Sequence, residues 1–341
     1  MAGDKEHLGA KREGDGSVKT LVVASGKGGT GKTTLSALFA RFSAQERPLV
    51  VADCDVEASN LPLALRTEVT SREAFAGSEK AVVGEDLCSG CERCLDSCRF
   101  GAISTLVDGT ARIDEWACEG CGACATACRH GAISLEPRQA GELLGGECST
   151  GAIVFGQLQP GQDLSGKLVT SVHERAKALA EERGAELVLI DGPPGIGCPV
   201  IASISGADGL LAVAEPSLSG EHDLRRLVTL ARQLRVPVKV VLNKSDLSAE
   251  AAERLRATCR EEGIELIGEV PFDSELLPTL ERMAQGDILE AKPVIDIEES
   301  PGVSAARSIW ERIENWLAEP PQARPASKAL IQLSRTHSNG S

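Results

Sequence analysis

The chain has 341 residues, a formal net charge of −14 and 42% hydrophobic residues. This length suits about two domains with cores of their own, and the acidic balance argues against nucleic acid as a general partner. No apolar stretch follows a basic start and no apolar run reaches spanning length, so we expect no secretory signal, no membrane span and a cytoplasmic location. Twelve cysteines in such a chain point to metal rather than to disulfides.

A glycine-rich turn near the start of the chain predicts a phosphate-binding loop. Residues 1–17 are polar and glycine-rich, and we expect a disordered tail there. Residues 20–24 predict a buried strand and residues 35–40 a helix. Between them the sequence SGKGGTGKTT matches a P-loop, in which backbone N–H groups and a helix N-terminus hold phosphate. The predicted nucleotide-binding residues are Gly28, Gly29, Thr30, Gly31, Lys32, Thr33 and Thr34.

Within this loop, Lys32 is placed to reach the β- and γ-phosphates and the Thr33 hydroxyl to bind Mg²⁺. Lys27 adds a second lysine at the start of the loop. The run Lys27–Thr34 resembles the deviant P-loop of the MinD/ParA family, which includes Mrp-type iron–sulfur carriers and the nitrogenase iron protein. The resemblance implies ATP and Mg²⁺ as cofactors. It also implies that Lys27 stabilises charge on the partner's nucleotide in a homodimer, or in a heterodimer with a paralogue.

A second predicted strand, residues 48–52, ends at an acidic segment. Acidic side chains at the carboxyl end of a parallel strand lie where ligands bind in open α/β sheets, although they would serve equally well as caps of the next helix. The MinD/ParA resemblance favours the first interpretation. It implies that Asp55 positions the attacking water and that Asp53 lies near the Mg²⁺ shell.

The middle of the chain contains an internal repeat of cysteines. Cys88-x-x-Cys91-x-x-Cys94-x-x-x-Cys98 recurs as Cys118-x-x-Cys121-x-x-Cys124-x-x-x-Cys128. This is the ligand spacing of two-cluster bacterial ferredoxins, in which the fourth cysteine of each run binds the other cluster. The resemblance assigns one [4Fe–4S] cluster to Cys88, Cys91, Cys94 and Cys128. It assigns the second to Cys98, Cys118, Cys121 and Cys124.

Other interpretations of these cysteines are weaker. Paired Cys-x-x-Cys units occur in zinc sites, but the duplicated four-cysteine pattern favours clusters. Arg99 and Arg129 stand where ferredoxins commonly have proline. They would either raise a cluster's potential, contact a partner's carboxylates or face water. We predict an inserted ferredoxin domain at residues 83–137, inside an ATPase domain at 18–82 and 138–317.

The sequence after the insertion predicts the rest of the ATPase. Residues 141–166 are glycine-rich and loop-like, and a helix is predicted over 167–183. The strand at 186–190 ends at Asp191, which fits a Walker B acid that holds Mg²⁺ through water. Cys198 resembles the nitrogenase iron protein's interface cluster ligand, although a buried, inert thiol is the commoner outcome. No matching second ligand stands out, with Ser165 and Cys148 the nearest in sequence.

Further strands are predicted at 209–214, 238–242 and 265–270, with helices at 220–234 and 303–317 and a flexible tail at 318–341. The resemblance gives Asn243 and Pro271 contacts with the adenine base. Asp246 completes a GTPase-like pattern, so guanine remains an alternative.

The predicted fold class is α/β: a mostly parallel P-loop sheet with helices on both faces, carrying an inserted α+β ferredoxin domain with two [4Fe–4S] clusters. We predict a dimeric ATPase coupled to electron transfer, with a redox or iron–sulfur acceptor protein as partner. The alternatives are an iron–sulfur carrier ATPase, or a ParA-like positioning switch with a structural or sensing ferredoxin module.

Overall fold

A computed structural model describes residues 18–162, 165–276 and 294–319. The predicted tail at 1–17 and most of the one at 318–341 lie outside these ranges. Strands are Lys19–Ser25 (β1), Leu49–Asp53 (β2), Glu68–Val83 (β3), Ile103–Thr105 (β4), Ala111–Ile113 (β5), Ile133–Cys148 (β6), Gly151–Leu158 (β7), Leu187–Pro194 (β8), Gly209–Ala214 (β9), Val238–Asn243 (β10) and Leu266–Val270 (β11). Helices are Lys32–Ala44 (α1), Leu61–Ala64 (α2), Arg93–Ser97 (α3), Ala123–Ala127 (α4), Ser165–Arg183 (α5), Cys198–Ile204 (α6), Gly220–Leu234 (α7), Ala249–Glu261 (α8) and Pro301–Ala318 (α9).

Within the residues that the structure describes, the main sheet has nine strands in the order β11-β10-β9-β1-β8-β2-β7-β6-β3. The strands from β11 to β7 run parallel, while β6 is antiparallel to both β7 and β3. The connection from β1 to β2 passes over β8, and the connection from β8 to β9 passes over β1 in the opposite direction. The strand order therefore reverses beside β1. Ligands of open α/β sheets bind at the carboxyl ends of the strands at such a point.

Helices cover both faces of the parallel strands, because those strands are apolar on both sides. In β1, Leu21 and Val23 face the core beneath α1 and α9, whereas Val22 and Ala24 face the core beneath α5, α6, α7 and α8. On the first face, the Phe39 and Trp310 rings stack with centroids 5.5 Å apart, which joins α1 to α9. The predicted α/β class, with a mostly parallel sheet and helices on both faces, is confirmed.

The two edge strands form a long antiparallel ribbon. Gly141 of β6 pairs with Leu158 at the end of β7, so the part of β6 from Ile133 to Ala140 extends beyond the carboxyl edge of the parallel sheet. At its far end Ile133 pairs with Val83 of β3. The cysteine-rich segment between them, with α3, α4 and the β4–β5 hairpin, therefore lies beyond the same edge of the sheet as the glycine-rich turn that follows β1.

The prediction of a loop over residues 141–166 is wrong for most of its length. β6 continues to Cys148 and β7 covers Gly151–Leu158, while the helix predicted from residue 167 begins at Ser165. The glycines of β6 lie where neighbouring segments of this chain approach closely. A Cβ at Gly146 would lie 2.5 Å from a carbon of the Thr67 side chain. Within the described ranges, no helix has the length and apolar character that a bilayer crossing requires.

Candidate functional site

The P-loop begins at the end of β1 and leads into α1. Gly29 and Gly31 have φ angles of 78° and 84°, which glycine adopts without steric cost. Gly31 also has no room for a side chain, because a Cβ there would lie 2.2 Å from the Asn243 amide nitrogen. The loop lines a cavity of about 320 Å³, whose walls are Ser25, Gly28–Thr34, Asp55, Asn60, Leu63, Ala64, Pro194 and Lys244.

Asp191 is the centre of the polar network below this cavity. It is fully buried within β8 and accepts hydrogen bonds from three side chains of α1: Lys32 Nζ at 2.9 Å, Thr33 Oγ1 at 2.6 Å and Ser36 Oγ at 2.9 Å. Burial by itself lowers the pKa of Lys32. The charges of Asp191 and Asp53 outweigh that effect, so the pKa of Lys32 lies above its ordinary value and the ammonium is charged.

Asp53 stands beside Asp191, because the two residues are register partners on β2 and β8. It is fully buried and accepts hydrogen bonds from Asp55 N, Ser59 Oγ and Leu61 N at 2.9, 2.7 and 3.0 Å. Burial, together with the charge of Asp191, raises the pKa of Asp53 to about 7. Two crowded carboxylates with a neighbouring hydroxyl are suitable oxygen ligands for a divalent cation.

The other predicted nucleotide-site residues lie around this network. Asp55 lines the cavity, and burial raises its pKa. Asn243, at the end of β10, donates its amide to the Thr30 carbonyl at 2.7 Å and does not line the cavity. Pro271 follows β11, and it too is absent from the cavity wall.

Lys27 turns away from the cavity. Its Nζ lies 2.7 Å from Glu215 Oε1 and donates to Ser217 Oγ at 2.8 Å. Sequence reasoning assigned no role to Glu215, although it directly follows a buried parallel strand, a position that is itself a ligand-site signal. It also missed two serines that donate hydrogen bonds to the buried aspartates. Ser36 lies one helical turn beyond Lys32 and donates to Asp191, and Ser59 lies six residues beyond Asp53 and donates to it.

The eight cysteines of the repeat line two separate cavities. Cys88, Cys91, Cys94 and Cys128 line the first, and Cys98, Cys118, Cys121 and Cys124 line the second. The structure thus brings together the same two sets of four cysteines that the ferredoxin resemblance implies, with the fourth cysteine of each run crossing to the other cavity.

The backbone around the cysteines repeats as the sequence does. Gly90 and Gly120 have φ angles of 68° and 63°, and Glu92 and Gly122 have 59° and 74°. Backbone N–H groups point at three of the thiols, from Ala111 to Cys88, from Gly120 to Cys118 and from Ala132 to Cys128, at 3.3–3.4 Å. Such N–H···S contacts stabilise a thiolate ligand.

In the described part of the chain, no three metal-ligating side chains converge where a single ion would sit. The four irons of a [4Fe–4S] cube each take one thiolate, so a cluster needs its cysteines spread around a cavity rather than gathered at a point.

The remaining cysteines are dispersed. Cys198 is exposed at the start of α6 and lies close to Gly166 at the start of α5, where a Cβ would come within 3.3 Å of it. Ser165 is therefore near Cys198, while Cys148 lies at the opposite edge of the sheet, where β6 meets β7. Cys54 and Cys259 are buried, and burial raises the pKa of Cys259 to about 11.

Comparisons with known proteins find relatives of this chain. The uncharacterized protein MJ0578 of Methanocaldococcus jannaschii is 35% identical over 239 residues, which cover 68% of this chain and 80% of that protein. The uncharacterized ATP-binding protein MJ0547 of the same organism is 25% identical over 259 residues, 74% of each chain.

Solved structures share the fold. The septum site-determining protein MinD of Pyrococcus horikoshii, complexed with Mg-ADP, superposes with a TM-score of 0.52 at 16% identity, covering 88% of this chain and 98% of that one. The MinC:MinD complex of Aquifex aeolicus gives a TM-score of 0.52 at 17% identity, covering 90% and 99%. A family model for the CobQ/CobB/MinD/ParA nucleotide binding domain matches residues 21–284. The chain therefore belongs to the CobQ/CobB/MinD/ParA family of nucleotide-binding domains.

Proposed function

We propose that this protein is a dimeric, Mg²⁺-dependent ATPase whose nucleotide cycle is coupled to electron transfer through two [4Fe–4S] clusters held in an inserted domain at residues 83–137. The family supports the ATPase part. The single observation that supports the redox part is the division of eight cysteines between two cavities, four to each, with the crossed pairing of a two-cluster ferredoxin.

The residues of the nucleotide site divide the work of hydrolysis. Lys32 and the P-loop N–H groups hold the phosphates, and Thr33, Asp53 and Asp191 would hold Mg²⁺. Asp55 lines the same cavity and orients the attacking water. Lys27 of each subunit neutralises charge on the partner's nucleotide.

The thiolates of the inserted domain would hold the clusters, which supply one-electron redox chemistry when bound. The chain's own contribution is to exclude water from the inner thiols and to stabilise their charge. Cys94, Cys118 and Cys124 are less than 9% exposed, whereas Cys91 and Cys121 face solvent. Complete four-cysteine ligation favours electron transfer over release of a cluster, because a carrier needs labile ligands.

Two contacts support coupling between the two parts. Val56, next to Asp55, accepts a hydrogen bond from Leu158 N at 2.9 Å, at the end of β7. Beyond that strand, the Trp116 indole lies over Gly161, where a Cβ would be 3.3 Å from the ring. Trp116 is two residues from Cys118, so a movement at Asp55 has a short path to the second cysteine cavity.

The crossed ligation is tested by iron counting after anaerobic reconstitution. Replacement of Cys88, Cys91 and Cys94 by serine is expected to leave about four of about eight irons per chain. In that background, Cys98→Ser should disrupt the remaining cluster, whereas Cys128→Ser should leave it intact. Cys148→Ser in the otherwise unchanged chain is the control, since Cys148 lines neither cavity.

The opposite dependence on Cys98 and Cys128 would contradict the assignment. Colourless protein carrying zinc would contradict the clusters altogether. Transfer of intact clusters to an apo-acceptor on ATP addition would instead support the carrier alternative.

A further inference from the structure

The internal repeat includes the strands that cover the two cysteine cavities. Ala111 of β5 lines the first cavity and Ala81 of β3 lines the second, and each lies seven residues before the first cysteine of its own run. The residues just before these alanines are Thr110 and Lys80. Corresponding positions of the two halves therefore carry a neutral side chain beside one cavity and a cation beside the other.

Lys80 contacts the backbone of a proposed cluster ligand. Its ammonium group donates a hydrogen bond to the carbonyl oxygen of Cys118, which lines the second cavity. The lysine is partly buried, and no carboxylate of the described residues forms a salt bridge with it; Glu136, its register partner on β6, is exposed. Thr110 instead donates its hydroxyl to Asp108 at 2.6 Å, in the turn of the β4–β5 hairpin.

The other polar groups around the cavities do not supply this charge. In the described part of the inserted domain, backbone N–H groups donate to two thiols of the first cavity and to one of the second, at 3.3–3.4 Å. Arg99 and Arg129 occupy the same position in the two halves and are both exposed. The charged side chains that line either cavity are exposed too, so solvent screens them: Glu92, Arg93 and Glu119. Lys80 thus distinguishes the second cavity from the first.

We propose that Lys80 is a positioning residue that acts through Cys118 and makes the second cluster easier to reduce, with little effect on the first. The inference rests on the proposed function, which places a [4Fe–4S] cluster in each cavity. One electron from a donor protein adds one negative charge to a cluster without forming or breaking a bond, so a fixed cation nearby raises the midpoint potential. The charge of Lys80 favours the electron in the cavity next to Trp116, whose ring contacts Gly161 of the ATPase domain.

Reductive titrations of the reconstituted full-length chain, followed by EPR spectroscopy, measure the midpoint potential of each cluster. Lys80→Gln keeps a hydrogen-bond donor and removes the charge. We expect it to lower the ratio of reduced to oxidised second cluster about tenfold at a fixed potential, the effect of one partly buried charge. For one electron this is a midpoint potential about 59 mV lower, and the first cluster should be unchanged.

Three further variants separate charge from structure and assign the potentials. Lys80→Arg keeps both the charge and a donor and should retain the wild-type potentials. Arg112→Gln removes an exposed cation from β5 and should shift neither cluster. Thr110→Lys places a charge at the corresponding position of the other half and should raise the potential of the first cluster alone. The chain with serine at three cysteines of the first run keeps only the second cluster and identifies its signal: Cys88, Cys91 and Cys94.

An Lys80→Gln variant with unchanged potentials, with equal shifts in both clusters or with a shift in the first alone would overturn the inference. So would Lys80→Arg with the potentials of Lys80→Gln, because the effect would then come from the shape of the contact rather than from its charge. Reconstituted wild-type protein that binds no clusters would refute the proposed function, and the inference with it.

Discussion

At the scale of residues, the site depends on buried charged and polar side chains that hydrogen-bond to one another. Asp191 accepts hydrogen bonds from Lys32, Thr33 and Ser36, so these bonds hold β8 and the P-loop helix together. An isolated buried carboxylate would be costly, and its three donors offset that cost. The sequence predicts Asp191, Lys32 and Thr33, but the contribution of Ser36 becomes visible only when α1 is packed on β8.

Two glycines of the cysteine repeat provide a matched test of close packing. Gly120 and Gly131 both have a φ of 63°, so alanine at either one costs ~1–2 kcal/mol of left-handed strain. At Gly131 a Cβ meets nothing within 4 Å, whereas at Gly120 it would lie 2.0 Å from the Glu79 carbonyl oxygen. We expect urea denaturation to show a larger loss of unfolding free energy for Gly120→Ala than for Gly131→Ala. Equal losses would contradict the close contact between the repeat and β3.

His173 predicts a pH dependence of stability. It is buried on α5 with an unpartnered Nε2, and burial, with the nearby Lys177 charge, lowers its pKa below 6.5. Below pH 6.5 the unfolded chain binds a proton that the folded chain resists, so stability is fully present above pH 6.5 and is lost as the pH falls. His173→Leu should reduce that loss between pH 7.5 and pH 5 in urea titrations. Equal pH slopes for wild type and His173→Leu would refute the assignment.

At the scale of elements, α9 supports the P-loop helix from behind. Trp310 is 1% exposed and stacks on Phe39 of α1. Replacing a buried tryptophan by alanine removes its transfer free energy and leaves a cavity, at a cost of about 3–5 kcal/mol. We therefore expect Trp310→Ala to lower the unfolding free energy by that amount in urea titrations. Asn315→Ala, on the exposed side of α9, should change it by less than about 0.5 kcal/mol; similar losses for both would contradict this packing.

The helices and strands with the most regular pattern of apolar residues were the ones that the sequence predicted best. Buried strands such as β8 and β9 read as continuous apolar runs, and α7 was predicted with its observed ends, Gly220 and Leu234. The β3–β6 ribbon was missed because its strands are rich in glycine and charge and are half exposed. Its stability comes from pairing between segments far apart in sequence, which a local pattern does not report.

The residues of the candidate site also fall into those that the sequence predicted and those that it did not. Motif residues were predicted because their spacing carries the chemistry: the P-loop, Asp191 and the eight cysteines. Glu215, Ser217 and Lys244 belong to no motif, and their contacts with the P-loop arise from the order of β9, β10 and β1 in the sheet. Such partners depend on tertiary structure and could not be read from the chain.

At the scale of the whole molecule, the ribbon places the cysteine cavities and the nucleotide cavity on one side of the sheet. Val56, next to Asp55 of the nucleotide cavity, contacts Leu158, and Gly161, three residues further on, contacts Trp116, which is two residues from Cys118. If nucleotide binding changes the free energy of cluster reduction through these contacts, reduction must in turn change nucleotide affinity by the same factor.

The midpoint potential of the reconstituted clusters, measured with ADP and with a non-hydrolysable ATP analogue, tests the proposed coupling most directly. We expect the two nucleotides to give different potentials, and we expect Trp116→Ala to reduce the difference. Val107→Ala, a control at the fully exposed tip of the β4–β5 hairpin, should not. Identical potentials with ADP, with the ATP analogue and without nucleotide would contradict an ATPase coupled to electron transfer.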